Sequence, residues 1–234
     1  MHHCNEILLN LKKVQSNMEA ARHSCGREDH IQLIAVSKTK PPAALMQAYD
    51  AGIRDFGENK VQELIEKAQQ LPKDIRWHMI GHLQRNKVKY IVDKAAMIHS
   101  VDSLRLAEEI SKEAVKKEVS VSILIEVNVA QEDSKFGVRC EDCEALIRAV
   151  SQLPGVCIRG LMTIAPYVDR GEDNREYFRR LKQLSVDIKQ KNIDNVCMDV
   201  LSMGMTGDYE TAIQEGASHI RVGTAIFGER DYPI

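Results

Sequence analysis

The sequence predicts a single (β/α)8 TIM barrel with an additional N-terminal helix. Three observations carry that expectation. Eight apolar, β-branched runs alternate with stretches of helical period along the chain. Several of those runs are apolar on both faces, as strands of a parallel sheet covered on both sides must be. Polar residues gather where the runs end, which is where chemistry sits in such barrels. The length of 234 residues suits one barrel of the usual size, about 250 residues. An open doubly wound sheet is the alternative arrangement.

Taken in order, Ile7, Leu8, Leu11, Val14 and Met18 form an amphipathic helix ahead of the first strand. The first strand run is 31–39, IQLIAVSKT, and Pro41 and Pro42 then suit the first turn of a helix. Gly52 stands where that helix would be capped at its C-terminus. Further strand runs lie at 53–58, 76–81, 97–102, 121–129, 156–164, 197–204 and 219–228. Helical period recurs between them in Val61, Leu64, Ile65 and Ala68, in Leu104, Ala107, Ile110 and Ala114, and in Tyr177, Phe178, Leu181, Leu184 and Ile188. Gly216 is a second C-cap position. With no Pro/Ser-rich linker, short-period repeat or low-complexity tract, residues 1–234 are expected to form one domain.

Lys and Arg number 32 against 34 Asp and Glu, a formal net charge of −2, and the basic residues are interspersed with acidic ones. This pattern offers no nucleic-acid surface and no membrane surface. Six cysteines without a disulfide framework, in a chain with no secretory signal and no long uncharged apolar run, are expected in a reducing cytoplasm. Cys140 and Cys143 form a lone C-x-x-C without the second ligand pair that zinc needs, and they open an amphipathic stretch through Leu146, Ile147 and Val150. Plain helix residues are the better reading, and no metal site is expected.

The strand ends give Ser37-Lys38-Thr39, Gly57-Glu58-Asn59, Gly81-His82-Leu83-Gln84, Ser100-Val101-Asp102, Asn128, Thr163, Ser202-Met203-Gly204-Met205-Thr206 and Gly223-Thr224. The last two, in SMGMTGD and RVGTAIFG, combine glycine with hydroxyl side chains after the seventh and eighth strands. Barrels often bind phosphate there, through backbone N–H groups and a helix N-terminus. Arg221 lies two residues before Gly223 and points to the same side. It reads either as a barrel arginine paired with a carboxylate or as a permanently charged donor to a ligand. By the period of two, Ile34, Val36 and Lys38 share one strand face, so Lys38 is expected at the top of the barrel filling, with Lys40 beyond it toward the rim. A lysine over an apolar floor loses hydration, its pKa falls, and the neutral amine can attack an aldehyde. Such a lysine, a phosphate cup and an arginine are what a pyridoxal phosphate site requires.

AVSKTKP, FGENKVQE, WHMIGHLQRNK, EDSKFG, GLMTIAP and LSMGMTGDYETAIQEGASHIRVGTAIFG resemble the pyridoxal phosphate homeostasis proteins, also described as proline synthase co-transcribed homologues. These look like the N-terminal barrel domain of alanine racemase standing by itself, and the resemblance covers residues 5 to 230. It implies pyridoxal 5'-phosphate as cofactor, held as a Schiff base on Lys38. It also implies phosphate contacts from Ser202, Gly223 and Thr224, and Arg221 facing the pyridine nitrogen. Asn59 and His82 match motif positions near the cofactor; a loop cap and a rim imidazole are their alternative readings. Thr206 stands where serine is the commoner residue of the motif.

The resemblance further implies a role in intracellular vitamin B6 homeostasis, with apo pyridoxal phosphate enzymes as recipients and the chain itself a monomer or weak dimer. Catalysis is not expected. A racemase needs two bases on opposite faces of its substrate, the second of which, a tyrosine, comes in alanine racemase from another domain, and no room is expected for one before Ile234. An arginine at the pyridine nitrogen also leaves the ring a poorer electron sink. The alternatives are a pyridoxal phosphate-dependent amino-acid racemase and a barrel aldolase using Lys38 directly on a sugar phosphate.

Overall fold

The computed structural model describes residues 3–132 and 135–229. Asp133 and Ser134 of the EDSKFG motif, and both ends of the expected 1–234 domain, lie outside the described residues. Eight parallel strands close into a barrel in the order β1-β2-β3-β4-β5-β6-β7-β8: β1 Gln32–Val36, β2 Asp55–Glu58, β3 Arg76–Met79, β4 Ala95–Val101, β5 Val121–Glu126, β6 Val156–Met162, β7 Val196–Ser202 and β8 His219–Val222. Closure is made by β1 against β8, with Gln32 opposite His219 and Ile34 opposite Arg221.

The helix α1, His3–Ser24, precedes the barrel and buries Leu11, Val14, Met18 and Ala21. It packs against α2 (Pro42–Asp50), α7 (Tyr209–Gln214) and α8 (Thr224–Phe227), and Asn10 Nδ2 donates to the Ile226 carbonyl at 3.1 Å. The remaining helices are α3 Val61–Gln70, α4 Leu104–Lys116, α5 Cys143–Val150 and α6 Arg175–Gln190. Between β3 and β4 the connection is a 3-10 turn, Arg85–Tyr90. As the local signals require, α2 opens with Pro41 and Pro42 in its first turn, and Gly52 and Gly216 follow helices with φ of +98° and +102°. Cys143 is the first residue of α5 and is buried, and no group of three or more His, Cys, Asp or Glu side chains is placed to hold a metal ion among the described residues. Nor is any described helix long and apolar enough to cross a membrane.

Two layers of side chains hold this together. Alternate strand residues such as Leu33, Ala35, Phe56, Trp77, Ile123 and Ile220 pack against the helices in one continuous cluster. Each fully buried isoleucine, leucine or phenylalanine of this layer stabilises the fold by about 1.5–3 kcal/mol. Residues of the opposite parity fill the lumen. There Met97, Leu124, Met162 and Val200 form a separate small cluster. A Cβ on Gly57 would come 3.0 Å from Ile34 Cγ2 and 2.9 Å from Ile80 Cδ1, so glycine is the residue that fits between them.

Two strand expectations are corrected. The run 219–228 is β8 followed by α8, with Gly223 as the break, because Ile226 and Phe227 both return their N–H to the Gly223 carbonyl at 2.9 Å. The period of two also stops short of Lys38. β1 ends at Val36, and Lys40 N donates to the Ser37 carbonyl at 3.0 Å, closing a turn with Thr39 at φ +66°. Lys38 is therefore presented by a turn rather than by the face of a strand.

Candidate functional site

The half-buried Lys38 occupies a turn clamped from both sides. Ser37 is fully buried and donates its hydroxyl to Glu58 Oε1 at 2.6 Å. Lys67 reaches in from α3 with Nζ 2.8 Å from Glu58 Oε1 and 2.8 Å from the Ser37 carbonyl. On the far side of Lys38, the Thr39 N–H donates to Glu63 Oε2 at 2.8 Å, and Glu63 also meets Lys67 Nζ at 3.3 Å. Burial pushes the Glu58 carboxyl above its usual range despite the Lys67 charge, and its Oε2 has no partner. Burial acts the same way on Glu63, but the Thr39 N–H and Lys67 outweigh it and hold that group low. The left-handed backbone of Thr39 costs of order 1 kcal/mol or more, and these contacts determine it. Lys40, in contrast, extends away to donate to the Glu229 carbonyl at 2.7 Å.

Across the β1–β8 seam lies a donor edge. A Cβ on Gly223 would sit 3.2 Å from the Val36 carbonyl oxygen and 3.3 Å from Val36 Cβ, so the chain passes close beside the strand that leads to Lys38. The Ala225 N–H points to Thr206 Oγ1 at 3.4 Å, which brings the loops after β7 and β8 together with the exposed Thr224 beside them. The loop after β7 is shaped by Asp208, which accepts from Met205 N–H at 2.6 Å and from Asn174 Nδ2 at 2.8 Å.

Arg221 forms the floor. It is buried, with Nη1 donating to Ser202 Oγ at 2.5 Å and Nη2 to the Thr163 carbonyl at 2.7 Å. Burial brings its pKa down to about 10, opposed by the charges of Asp208 and Glu126, so it remains a cation at neutral pH. Glu126, at the end of β5, is raised to about 7 by burial and by the neighbouring Asp102, with Arg221 opposing. Beneath lies a layer of histidines. His99 is fully buried and is held well below the usual imidazole range by burial, and His219 is pushed down to about 4 by the same cause.

The geometry thus brings Ser202 and Arg221 into direct contact, and sets Gly223 beside the strand that ends before Lys38. Asn59 is half-buried after β2, with its backbone against Gly81, where a Cβ would lie 2.6 Å from Asn59 Cα. His82 stands at the rim, its ring stacked on Phe136 at 3.9 Å and its Nδ1 3.7 Å from Asp102. No hydrogen bond among the described residues joins it to Arg221 or Ser202. Sequence reasoning gave no role to Glu58, Lys67, His78, His99 or Glu126. The available signal was a histidine inside each of two adjacent apolar strands, RWHM and AAMIHSV.

The profile of the family described as "Alanine racemase, N-terminal domain" matches residues 9–231. A pyridoxal phosphate homeostasis protein of Aquifex aeolicus is 42% identical, over 99% of this chain and 100% of its own length. The chain belongs to the pyridoxal phosphate homeostasis protein family. Among solved structures, PipY of Synechococcus elongatus with PLP bound superposes with a TM-score of 0.82 at 37% identity, over 95% of this chain and 100% of its own. Alanine racemase of Clostridium difficile shares the fold, with a TM-score of 0.74 at 14% identity, over 97% of this chain and 58% of the racemase.

The donor set of this family member suits pyridoxal phosphate: an amine on a fixed turn, an edge of N–H and hydroxyl groups on the adjoining strand, and a buried cationic donor below them.

Proposed function

We propose that this protein holds pyridoxal 5'-phosphate at the C-terminal mouth of the barrel, as a Schiff base on Lys38, and keeps and delivers it within vitamin B6 homeostasis without turning over a substrate. The placement of Lys38 carries this reading. Its turn is clamped by Glu58, Lys67 and Glu63 at the seam where Gly223 passes Val36. When bound, the cofactor supplies an aldehyde that an amine can capture. Gly223, Thr224, Ala225 N–H and Thr206 then serve the phosphate, and Arg221 donates from the floor toward the ring. The PLP-bound relative PipY and the homeostasis name of the Aquifex aeolicus relative support the same assignment. Apo pyridoxal phosphate enzymes are the recipients, in a cytoplasmic setting.

Borohydride reduction of the loaded protein followed by mass mapping tests the assignment. The adduct is expected on Lys38, and Lys38→Ala should lose the visible absorption while Lys40→Ala keeps it. An adduct centred elsewhere would overturn the reading. Glu126 favours a second reading, amino-acid racemisation or a related reaction, since a mouth carboxyl at about 7 can exchange protons at neutral pH. Deuterium exchange at Cα over a panel of amino acids decides between them. Turnover of about 1 s⁻¹ or more would favour the enzyme, and reactivation of an apo-enzyme without exchange favours the carrier.

A further inference from the structure

A chain of buried hydrogen bonds runs the height of the barrel lumen, from the N-terminal end of β2 to the floor of the cofactor site. Asp55 Oδ1 lies 2.9 Å from His78 Nε2, His78 Nδ1 lies 2.9 Å from His99 Nε2, and His99 Nδ1 lies 2.9 Å from Ser202 Oγ. Ser202 Oγ in turn accepts from Arg221 Nη1 at 2.5 Å. All five side chains are buried.

The acidic end of this chain fixes its direction. A hydroxyl oxygen can accept from both Arg221 and a ring N–H, so the arginine end alone decides nothing. A carboxylate only accepts, so with one proton on each imidazole His99 Nδ1 accepts from the Ser202 hydroxyl, His78 Nδ1 accepts from His99 Nε2, and the His78 Nε2 proton goes to Asp55. Asp55 is fit to receive it: burial favours its protonated form, but the bonds from His78 and Arg76 outweigh burial and hold it low, and Gln32 Nε2 donates a further bond at 2.7 Å. With one proton on each imidazole, the opposite direction would require Asp55 to be protonated. Ser202 therefore has no proton left for an anion. Thr206, whose oxygen lies beside the α8 backbone, is the hydroxyl still able to donate.

We infer that Asp55, His78, His99 and Ser202 are positioning residues that aim the Arg221 guanidinium at the ring of the bound cofactor, and that Ser202 makes no phosphate contact. This rests on the pyridoxal phosphate reading above. Arg221 is anchored by a hydroxyl and a carbonyl rather than cancelled by a carboxylate, and the acidic charges that bear on it, Asp208 and Glu126, form no ion pair with it among the described residues. A guanidinium so held keeps donors and field for a ligand.

Two measurements test the inference. In the ligand-free protein at about pH 8, above the ordinary imidazole pKa of about 6.5, long-range proton–nitrogen NMR should show both His78 and His99 as Nε2–H tautomers. An Nδ1–H tautomer at His99 would overturn the relay. Equilibrium titration of pyridoxal phosphate and pyridoxal supplies the second. Ser202→Ala and His99→Phe should weaken both ligands by a similar factor, about tenfold, leaving the preference for the phosphorylated form unchanged, whereas Thr206→Val should lower that preference. A preference lost in Ser202→Ala, with wild-type binding intact, overturns this inference alone and returns Ser202 to the phosphate. Wild-type protein that binds neither ligand overturns the cofactor reading with it. If His99→Phe does not fold, the wild-type tautomers and Ser202→Ala still decide.

Discussion

Two cations lie buried around the mouth of this barrel, and they are balanced in opposite ways. Lys67 sits 2.8 Å from the Glu58 carboxylate and 3.3 Å from Glu63, and the cluster spends its hydrogen bonds on the Ser37 carbonyl and the Thr39 N–H. Arg221 has no carboxylate within ion-pair distance among the described residues, and donates to the Ser202 hydroxyl and the Thr163 carbonyl. A charge cancelled at close range has little left for a ligand, but it holds a backbone in place. Balanced only at a distance in a low-dielectric interior, the other charge keeps most of its reach. Lys67 belongs to the structure of the Lys38 turn, and Arg221 to whatever the site binds.

Removing one cation at a time is the sharpest way to break this contrast. Lys67→Met strands the buried Glu58 carboxyl and should destabilise the protein by about 3–5 kcal/mol in urea unfolding, with Glu58→Gln in the same chain restoring much of the loss. Arg221→Met should change stability by no more than about 1 kcal/mol while weakening pyridoxal phosphate binding by about 2 kcal/mol. Similar unfolding midpoints for the two variants would erase the distinction.

Glu126 sharpens the comparison through pH. Its carboxyl sits at about 7 in the fold against an ordinary value of 4.5. The folded protein therefore binds this proton more tightly than the unfolded chain. The associated stability is fully present below about 4.5 and is lost as pH rises through about 7. Glu126→Gln, neutral at every pH, should flatten the stability profile across that window and be more stable than wild type by about 1–2 kcal/mol at alkaline pH. An unchanged slope would place the titration elsewhere. The smallest expected effect belongs to the donor edge. Thr206→Val removes one hydroxyl and should reduce the preference for pyridoxal phosphate over pyridoxal by about 1 kcal/mol, read from paired titrations.

The alternation of strands and helices, Pro41 and Pro42 at a helix start, Gly52 and Gly216 after helix ends, and the small polar loops flanking Arg221 were all legible in the chain. Each depends on residues within one or two turns of each other, and local sterics and periodicity act over that range. Lys38 shows where this reach ends. Its chemistry could be read, but not its support, because β1 stops at Val36 through a turn whose other contacts arrive from positions 58, 63 and 67.

The histidine layer lay further out of reach. A lone His78 or His99 in an apolar strand has no partner in its own segment, and neither residue type nor period states which nitrogen carries a proton. Sequence alone determined that a parallel barrel would form and that a lysine, an arginine and two hydroxyl-bearing loops would collect at its C-terminal end. Closure of the sheet decided what each of them touches. Positions 55, 78, 99, 202 and 221 meet only in the finished lumen, where burial obliges each donor to find an acceptor within the chain of side chains and so gives it a direction.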